Sequence, residues 1–425
     1  MNHRNATLAA AVTVLLLAAS ARADIPGTTG TAFALTAKTG HISTPDGNSI
    51  LIWGFTDNAT GRVQYPAPTL ILDQGNTITV ELTNTLDVPV SIVFPGQTSV
   101  TAEAVSGPTQ NGLLTLEAGT SGTVRYTFVA SRPGTYHYHS GTRPDLQVEV
   151  GLVGAIIIRP TGFDHMNMKA YEDDATTYTH EFLFLLTEMD PRIHELVEKG
   201  EMNQIDNTTY FPVNWFINGR CAPDTMAPSF AGWLPAQPYN CMPMMNPGER
   251  LLMRVIGAGR HLHPFHHHGN HAKIIAKDGR LLTSGLGNGP DLGFMVFTIQ
   301  TAPGETVDAI FEWTGAGMGW DIYGHTSTDT MTLEPHEYAP DHGKPFPVQL
   351  PEKQDLTFGG FYSGSPFLGT LGALPPGEGG MNPNAGFVYM WHSHTEKEMT
   401  NNNIFPGGLM TMLIIEPPFA TGSHH

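Results

Sequence analysis

The chain is short of cysteine, of basic residues and of long apolar runs, and each shortage closes off a class of protein. Its 425 residues include two cysteines, Cys221 and Cys241. Neither sits in a metal-binding spacing such as C-x-x-C, which argues against a thiolate metal site. In an exported chain the two are expected to form one disulfide closing a Pro-rich loop. Basic residues number 21 against 39 acidic ones, for a formal net charge of −18. That balance excludes a phosphate-reading surface, and hence a nucleic-acid partner. It favours solubility and draws cations. The longest apolar stretch, Leu8 to Ala19, is too short to cross a bilayer. It follows His3 and Arg4 and precedes Ala21-Arg22-Ala23, the pattern of a secretory signal with an A-x-A cleavage site. Residues 1–23 are therefore expected to be removed, leaving a periplasmic or secreted protein that starts near Asp24 with no membrane span. No H-E-x-x-H motif and no nucleophile–base arrangement is present, which argues against a zinc hydrolase.

Glycine and proline are plentiful, at 47 and 33 residues, and they interrupt the chain too often for long helices. Between the breaks run short segments with period-two alternation. Thr77–Thr83, Thr123–Val129 and Arg250–Val255 are of this kind and predict half-buried strands. Ala155–Ile158 and Met412–Ile415 predict fully buried strands, each followed by a proline. Pro191 to Gly200 is the best helical stretch. The fold class is all-β, built from antiparallel sandwiches. An internal echo divides it: Gly134–His139 and Gly386–His394 each end a strand in His-x-His, with an apolar strand to follow. The expected units run from 24 to 162 and from 178 to 418. The second carries a Gly/Pro-rich insertion at about 325–385, long enough to be a functional cover or a loop.

Seven histidines in three clusters carry the chemistry: His137 and His139, then His263, His266 and His268, then His392 and His394. On a strand, both imidazoles of a His-x-His pair project from one face. Two such pairs on neighbouring strands can surround a metal, and imidazole suits copper, zinc, iron or nickel. Other readings compete around them. Met242, Met244 and Met245, and Met166 with Met168, offer soft ligands for Cu(I), although loop packing is the default for methionine. Asp145 and Gln147 are candidates to orient the ligand rings. Glu396, Glu398 and Met399 are read as a solvated loop or as a replacement ligand or proton donor. His271 fits a surface or supporting role. His180, His194, His325, His336 and His342 are expected at the surface, and the terminal Ser423-His424-His425 is set aside.

Beyond these residues, the chain resembles the multicopper oxidases, which are built from cupredoxin-type β-sandwiches. The resemblance is carried by Pro66–Asn84, Gly134–Pro160, Trp391–Pro417 and, most specifically, Asn246–Gly269 (NPGERLLMRVIGAGRHLHPFHHHG). A two-domain chain is similar to small laccases and copper nitrite reductases, and this implies copper as cofactor and a homotrimer with copper sites between subunits. In the family, a type 1 copper passes electrons through a cysteine-flanked His-x-His segment to a cluster held by four His pairs. By resemblance His137 and His139 match the second pair, His266 and His268 the third, and His392 and His394 the fourth. His263 matches a type 1 ligand.

The departures are as specific as the matches. Val93 and Pro95 occupy the positions of the first pair, and neither can ligate a metal. Ser393 replaces the type 1 cysteine and Glu398 stands at the next type 1 histidine position. Blue copper requires thiolate, so no type 1 copper is expected, and the usual route for nitrite reduction falls with it. Two readings follow from the resemblance. One is a copper-dependent oxidase using O2, with a reduced His-only cluster fed directly by a small reducing substrate. The other is a non-catalytic copper-binding protein for storage, delivery or resistance. A sandwich with vestigial sites is a third.

Overall fold

A computed structural model describes residues 25–57, 61–314 and 386–415, together with the short strands Val348–Leu350, Gly364–Phe367 and Gly380–Asn382. The leader, most of the 325–385 insertion with its three histidines, and the terminal histidines lie outside the described residues. The alternating segments form strands close to where their periodicity places them: Thr77–Asn84, Thr123–Val129 and Arg250–Gly257. The continuous apolar runs become Val153–Arg159 and Met410–Ile415. The predicted helix is Pro191–Glu198, with proline in its first turn and the Asp190 carboxylate accepting from the Arg192 N–H as a cap.

Two sandwiches result. In the first, one sheet runs in the order Thr28–Thr29, Ala67–Asp73, Val153–Arg159, Gly134–His139. It faces a second sheet ordered Ser49–Asp57, Ala32–Ser43, Thr77–Asn84, Thr123–Val129, Thr101–Ser106. Leu70, Tyr138 and Ile156 from one meet Phe33, Val80 and Val124 from the other in a buried core. In the second sandwich, the sheet containing His180–Met189, Arg250–Gly257 and Thr306–Glu312 supplies Phe184, Met253 and Phe311 to its core. The opposite sheet contains Met410–Ile415, Gly386–Ser393 and His263–His267 and supplies Phe265, Tyr389 and Trp391. The sheets are mixed, where period-two alternation alone predicts antiparallel pairing. Ala32–Ser43 pairs Thr77–Asn84 in parallel, and His180–Met189 pairs Arg250–Gly257 in parallel. In both cases the chain visits the opposite sheet before returning, so the two strands arrive pointing the same way.

The two sandwiches are joined through one sheet of the second and side chains from both sheets of the first. Ile52, Val153 and Ile157 pack against Leu183, Leu185 and Ile256. A buried ionic network continues the contact. Arg159 and Arg254 both bind Glu181, Arg254 also reaches Asp308 at 3.5 Å, and Asp308 accepts from Tyr171 at 2.6 Å and from Thr135. Two cations on one carboxylate outweigh the burial that would raise it and hold Glu181 down at about 2.

Three expectations are corrected here. Cys221 and Cys241 are free buried thiols. The first packs in the apolar contact between the sandwiches and the second in the core of the second sandwich, where its Sγ donates to the Ile217 carbonyl at 3.0 Å. His194 and His180 are buried, not superficial. His194 Nδ1 meets the Leu51 carbonyl at 2.5 Å, and His180 pairs with Glu249 at 2.8 Å. Unreduced protein opened in denaturant should therefore titrate two thiols per chain with a thiol reagent; a count of zero would restore the disulfide. Replacing Glu181 by Gln strands two buried guanidinium groups, and loss of one partner from such a network costs about 3–5 kcal/mol. Urea unfolding of Glu181→Gln should show that loss, and a change under about 1 kcal/mol would mean the network is solvated.

Candidate metal centre

Strand register builds the site. The strands His263–His267 and Gly386–Ser393 pair antiparallel, with His266 opposite His392 and Phe265 opposite Ser393. Phe265, His267, Trp391 and Tyr389 are fully or nearly fully buried on the inner face. By alternation, His266, His268, His392 and His394 leave from the outer face. His266, His268 and His392 offer ligand atoms that all lie within 4.8 Å of one another. His392 Nε2 and His268 Nε2 are 3.4 Å apart. The His394 ring lies 4.8 Å from that of His266, at the exposed edge.

Neighbouring groups orient these rings. His266 Nδ1 is 2.9 Å from the Thr298 hydroxyl, and His392 Nδ1 is 2.7 Å from the Ser393 carbonyl. The Trp391 indole donates to the His268 carbonyl at 2.9 Å. Burial, reinforced by the imidazoles of His268, His392 and His394, pushes His266 down to about 4. His392 is lowered by the same two causes. At neutral pH these rings are uncharged, the state that ligates a metal.

His137 and His139 stand elsewhere. They lie on the strand Gly134–His139 opposite Ala155 and Val153, on the face turned to the second sandwich. Their rings stack 5.3 Å apart with 12° between planes, and burial followed by His139 pushes His137 down to about 3. They line a cavity of about 450 Å³ with Tyr65, Glu149, Glu188 and Arg260. Val93 exchanges both backbone hydrogen bonds with His139, so the segment holding Val93 and Pro95 runs directly beside this pair. The four histidines of the second sandwich project from the sheet that faces away from the first. Sheets of a sandwich lie about 10 Å apart, and so the second pair and the His266 group occupy different faces of one chain.

His263 also stands apart. It is three residues from His266, an odd spacing on a strand, and points to the inner face. Its Nε2 is 2.7 Å from Glu188 and its Nδ1 2.9 Å from Glu398. Glu398 is buried, in place of the solvated loop position expected for it, and accepts from Ser393 Oγ at 2.6 Å. Burial alone would lower His263, but the two carboxylates outweigh it and raise the ring to about 9. Glu188 was missed by sequence reasoning. Its one signal was an acidic residue inside an otherwise apolar strand, HEFLFLLTEM.

Of the supporting candidates, Gln147 is buried and braces Ser140, whose carbonyl meets His139 Nδ1 at 2.9 Å. Asp145 lines the cavity and is held below its usual range: burial opposes this, and Arg143 prevails. Glu396 meets His394 at 3.3 Å at the surface. Met245 and Met168 are core residues, and Met166 is exposed.

Comparison with known proteins agrees with this architecture. Residues 56–162 match the multicopper oxidase family. A multicopper oxidase of Talaromyces pinophilus is 35% identical over 100 residues, which is 23% of this chain and 15% of that protein. Among solved structures, a blue copper oxidase from Nitrosomonas europaea aligns with a TM-score of 0.56 at 19% identity, covering 90% of this chain and 85% of that one. A copper nitrite reductase from the same organism aligns at 0.51 and 13% identity, covering 92% and 95%. Residues 56–162 carry multicopper oxidase family sequence, and the fold of the chain is similar to that of the solved copper oxidases and nitrite reductases.

The His263 environment has a pH signature. The folded chain holds this proton more tightly than the unfolded chain, where histidine titrates near 6.5. The resulting stabilisation is complete below that value and is lost as pH rises through about 9. The stability gap between the wild type and His263→Gln in urea should narrow from about pH 7 to about pH 10. A gap constant over that range would show the ring to be neutral.

Proposed function

We propose that the chain is an exported, copper-binding oxidoreductase of two cupredoxin units, residues 24–162 and 178–418, with a His-only copper site and no type 1 copper. The observation that carries this is the His266, His268 and His392 group, three imidazoles whose ligand atoms converge within 4.8 Å. Such a donor set fits copper, and bound copper would supply a one-electron redox centre open to O2. His394 would complete the rim. The chain's own residues hold the His266 and His392 rings neutral, orient the group through Thr298, Ser393 and the His268 carbonyl, and cover one side with Phe297.

His137 and His139 face away from this group in the same chain. A six-histidine site therefore needs a second copy of the chain, and this supports a homo-oligomer, with the trimer the resemblance implies as the state to test. The exposed Leu114 lies beside Gly141, two residues past the second pair, and the exposed Phe297 ring lies 5.6 Å from that of His266; both are apolar side chains that such contact would cover. Export rests on the leader at 1–23. A small reducing substrate, a phenol or a reduced metal ion, would deliver electrons directly. The second reading, a copper carrier without turnover, is favoured by Val93 and Pro95 in place of a ligand pair.

Copper per chain decides between them, measured by elemental mass spectrometry after loading and desalting, with O2 uptake alongside. The expected result is at least one copper per chain, lost in His266→Ala and His392→Ala, with O2 consumed when a phenol or Cu(I) is supplied. Copper without O2 uptake would sink the oxidase and leave the carrier. Less than one copper per chain would sink both.

A further inference from the structure

The position where the family keeps a type 1 copper lies inside the end of the second sandwich, on the face opposite the His266 group. Its donor set does not fit that copper. Ser393 supplies a hydroxyl where thiolate is required. The two cysteines of the chain are buried elsewhere, Cys221 between the sandwiches and Cys241 in the second core. The retained histidine, His263, has each ring nitrogen on a carboxylate, Glu188 at 2.7 Å and Glu398 at 2.9 Å. The His263, Glu188 and Glu398 side chains are 0%, 0% and 5% exposed.

Each carboxylate in this arrangement is met by donors. Glu188 receives the Arg260 N–H at 2.6 Å, the His261 N–H at 3.0 Å and the Tyr210 hydroxyl at 3.2 Å, besides His263. Glu398 receives Ser393 Oγ–H at 2.6 Å besides His263. A buried charged set is tolerated when it is paired and hydrogen-bonded in this way. Ser393 lies between His392 and His394, and its carbonyl meets His392 Nδ1 at 2.7 Å. The set therefore ends on the strand segment that presents the fourth pair.

We infer that the family's type 1 position has become a metal-free ionic clamp, Glu188–His263–Glu398, which takes no copper and positions His392 and His394 through Ser393. Glu188, His263 and Glu398 are thus positioning residues. The inference rests on the reading of His266, His268 and His392 as copper ligands.

The test uses Cu(II)-loaded full chain. Wild type should show no intense blue absorption. His263→Ala should keep the wild-type copper count at saturation, because it removes no ligand. Glu398→Ala should weaken copper about 10-fold in chelator competition, the scale on which groups that orient metal ligands act. Glu398→Gln, which keeps an acceptor for Ser393, should recover most of that affinity with the wild-type electron paramagnetic resonance spectrum. Blue absorption in the wild type, one copper fewer in His263→Ala, or unchanged affinity in Glu398→Ala would each overturn the inference. If His263→Ala does not fold, the wild-type spectrum and the Glu398 variants decide alone. His392→Ala separates the two claims. Copper retained there but lost in His263→Ala overturns the clamp and the ligand assignment together. Copper lost there while wild type is blue overturns the clamp only.

Discussion

The antiparallel register between His263–His267 and Gly386–Ser393 is the constraint on which the rest depends. Placing His266 opposite His392 brings two His pairs from remote parts of the sequence onto one face. The same register sends Phe265, Trp391 and Tyr389 inward, where they form much of the second core. A slip of one residue would invert both sets, burying imidazoles and exposing aromatic rings. Core packing and site assembly are thus one event. The aromatic contacts, such as Phe311 to Trp391 at 5.2 Å and Phe265 to Trp391 at 6.2 Å, hold the geometry that the histidines use.

The contact between the sandwiches depends on a second kind of interaction. Its apolar part, Ile157 and Val153 against Leu183 and Leu185, is non-directional and would tolerate sliding. The Arg159–Glu181–Arg254–Asp308 network adds direction, because each carboxylate is met by fixed donors from both sides. Buried ionic sets of this kind contribute little net stability relative to apolar packing. They fix relative placement, and here they set the crevice in which His137 and His139 lie beside Glu149, Glu188 and Arg260. At that crevice the part-buried Tyr210 hydroxyl stands between Glu149 and Glu188, able to donate to either, and from Glu188 the contacts continue through His263 to Glu398 and Ser393.

Much of this was legible in the residues. Alternation located Thr77–Asn84 and Thr123–Val129 almost to the residue, because each strand buries one face. His-x-His spacing found the pairs, because that spacing is the strand period. The mixed sheets were not legible, since periodicity reports which face is buried and says nothing of strand direction. The buried places of His180 and His194 depended on partners far along the chain, Glu249 and the Leu51 carbonyl. His263 was the instructive case. Nearness in sequence grouped it with His266 and His268, yet its odd offset from them already put it on the other face. Its partner Glu188 lies 75 residues away and could not be paired with it by any local rule.

On the proposed reading, a serine at 393 where the family has a cysteine leaves a physical problem as well as a chemical one. A buried imidazole and polar strand end remain, and without a metal they would be desolvated and unpaired. Glu398 and Glu188 resolve this by giving His263 two charged acceptors, and they tie Ser393 into the same set. The two faces of the strand therefore stay coupled. Ser393 points inward to the clamp while His392 and His394 point outward to the metal group, and one backbone carbonyl at Ser393 touches His392. A covalent path still joins the two positions, but what it transmits is orientation. Geometry at the outer face is inherited from charge pairing at the inner one.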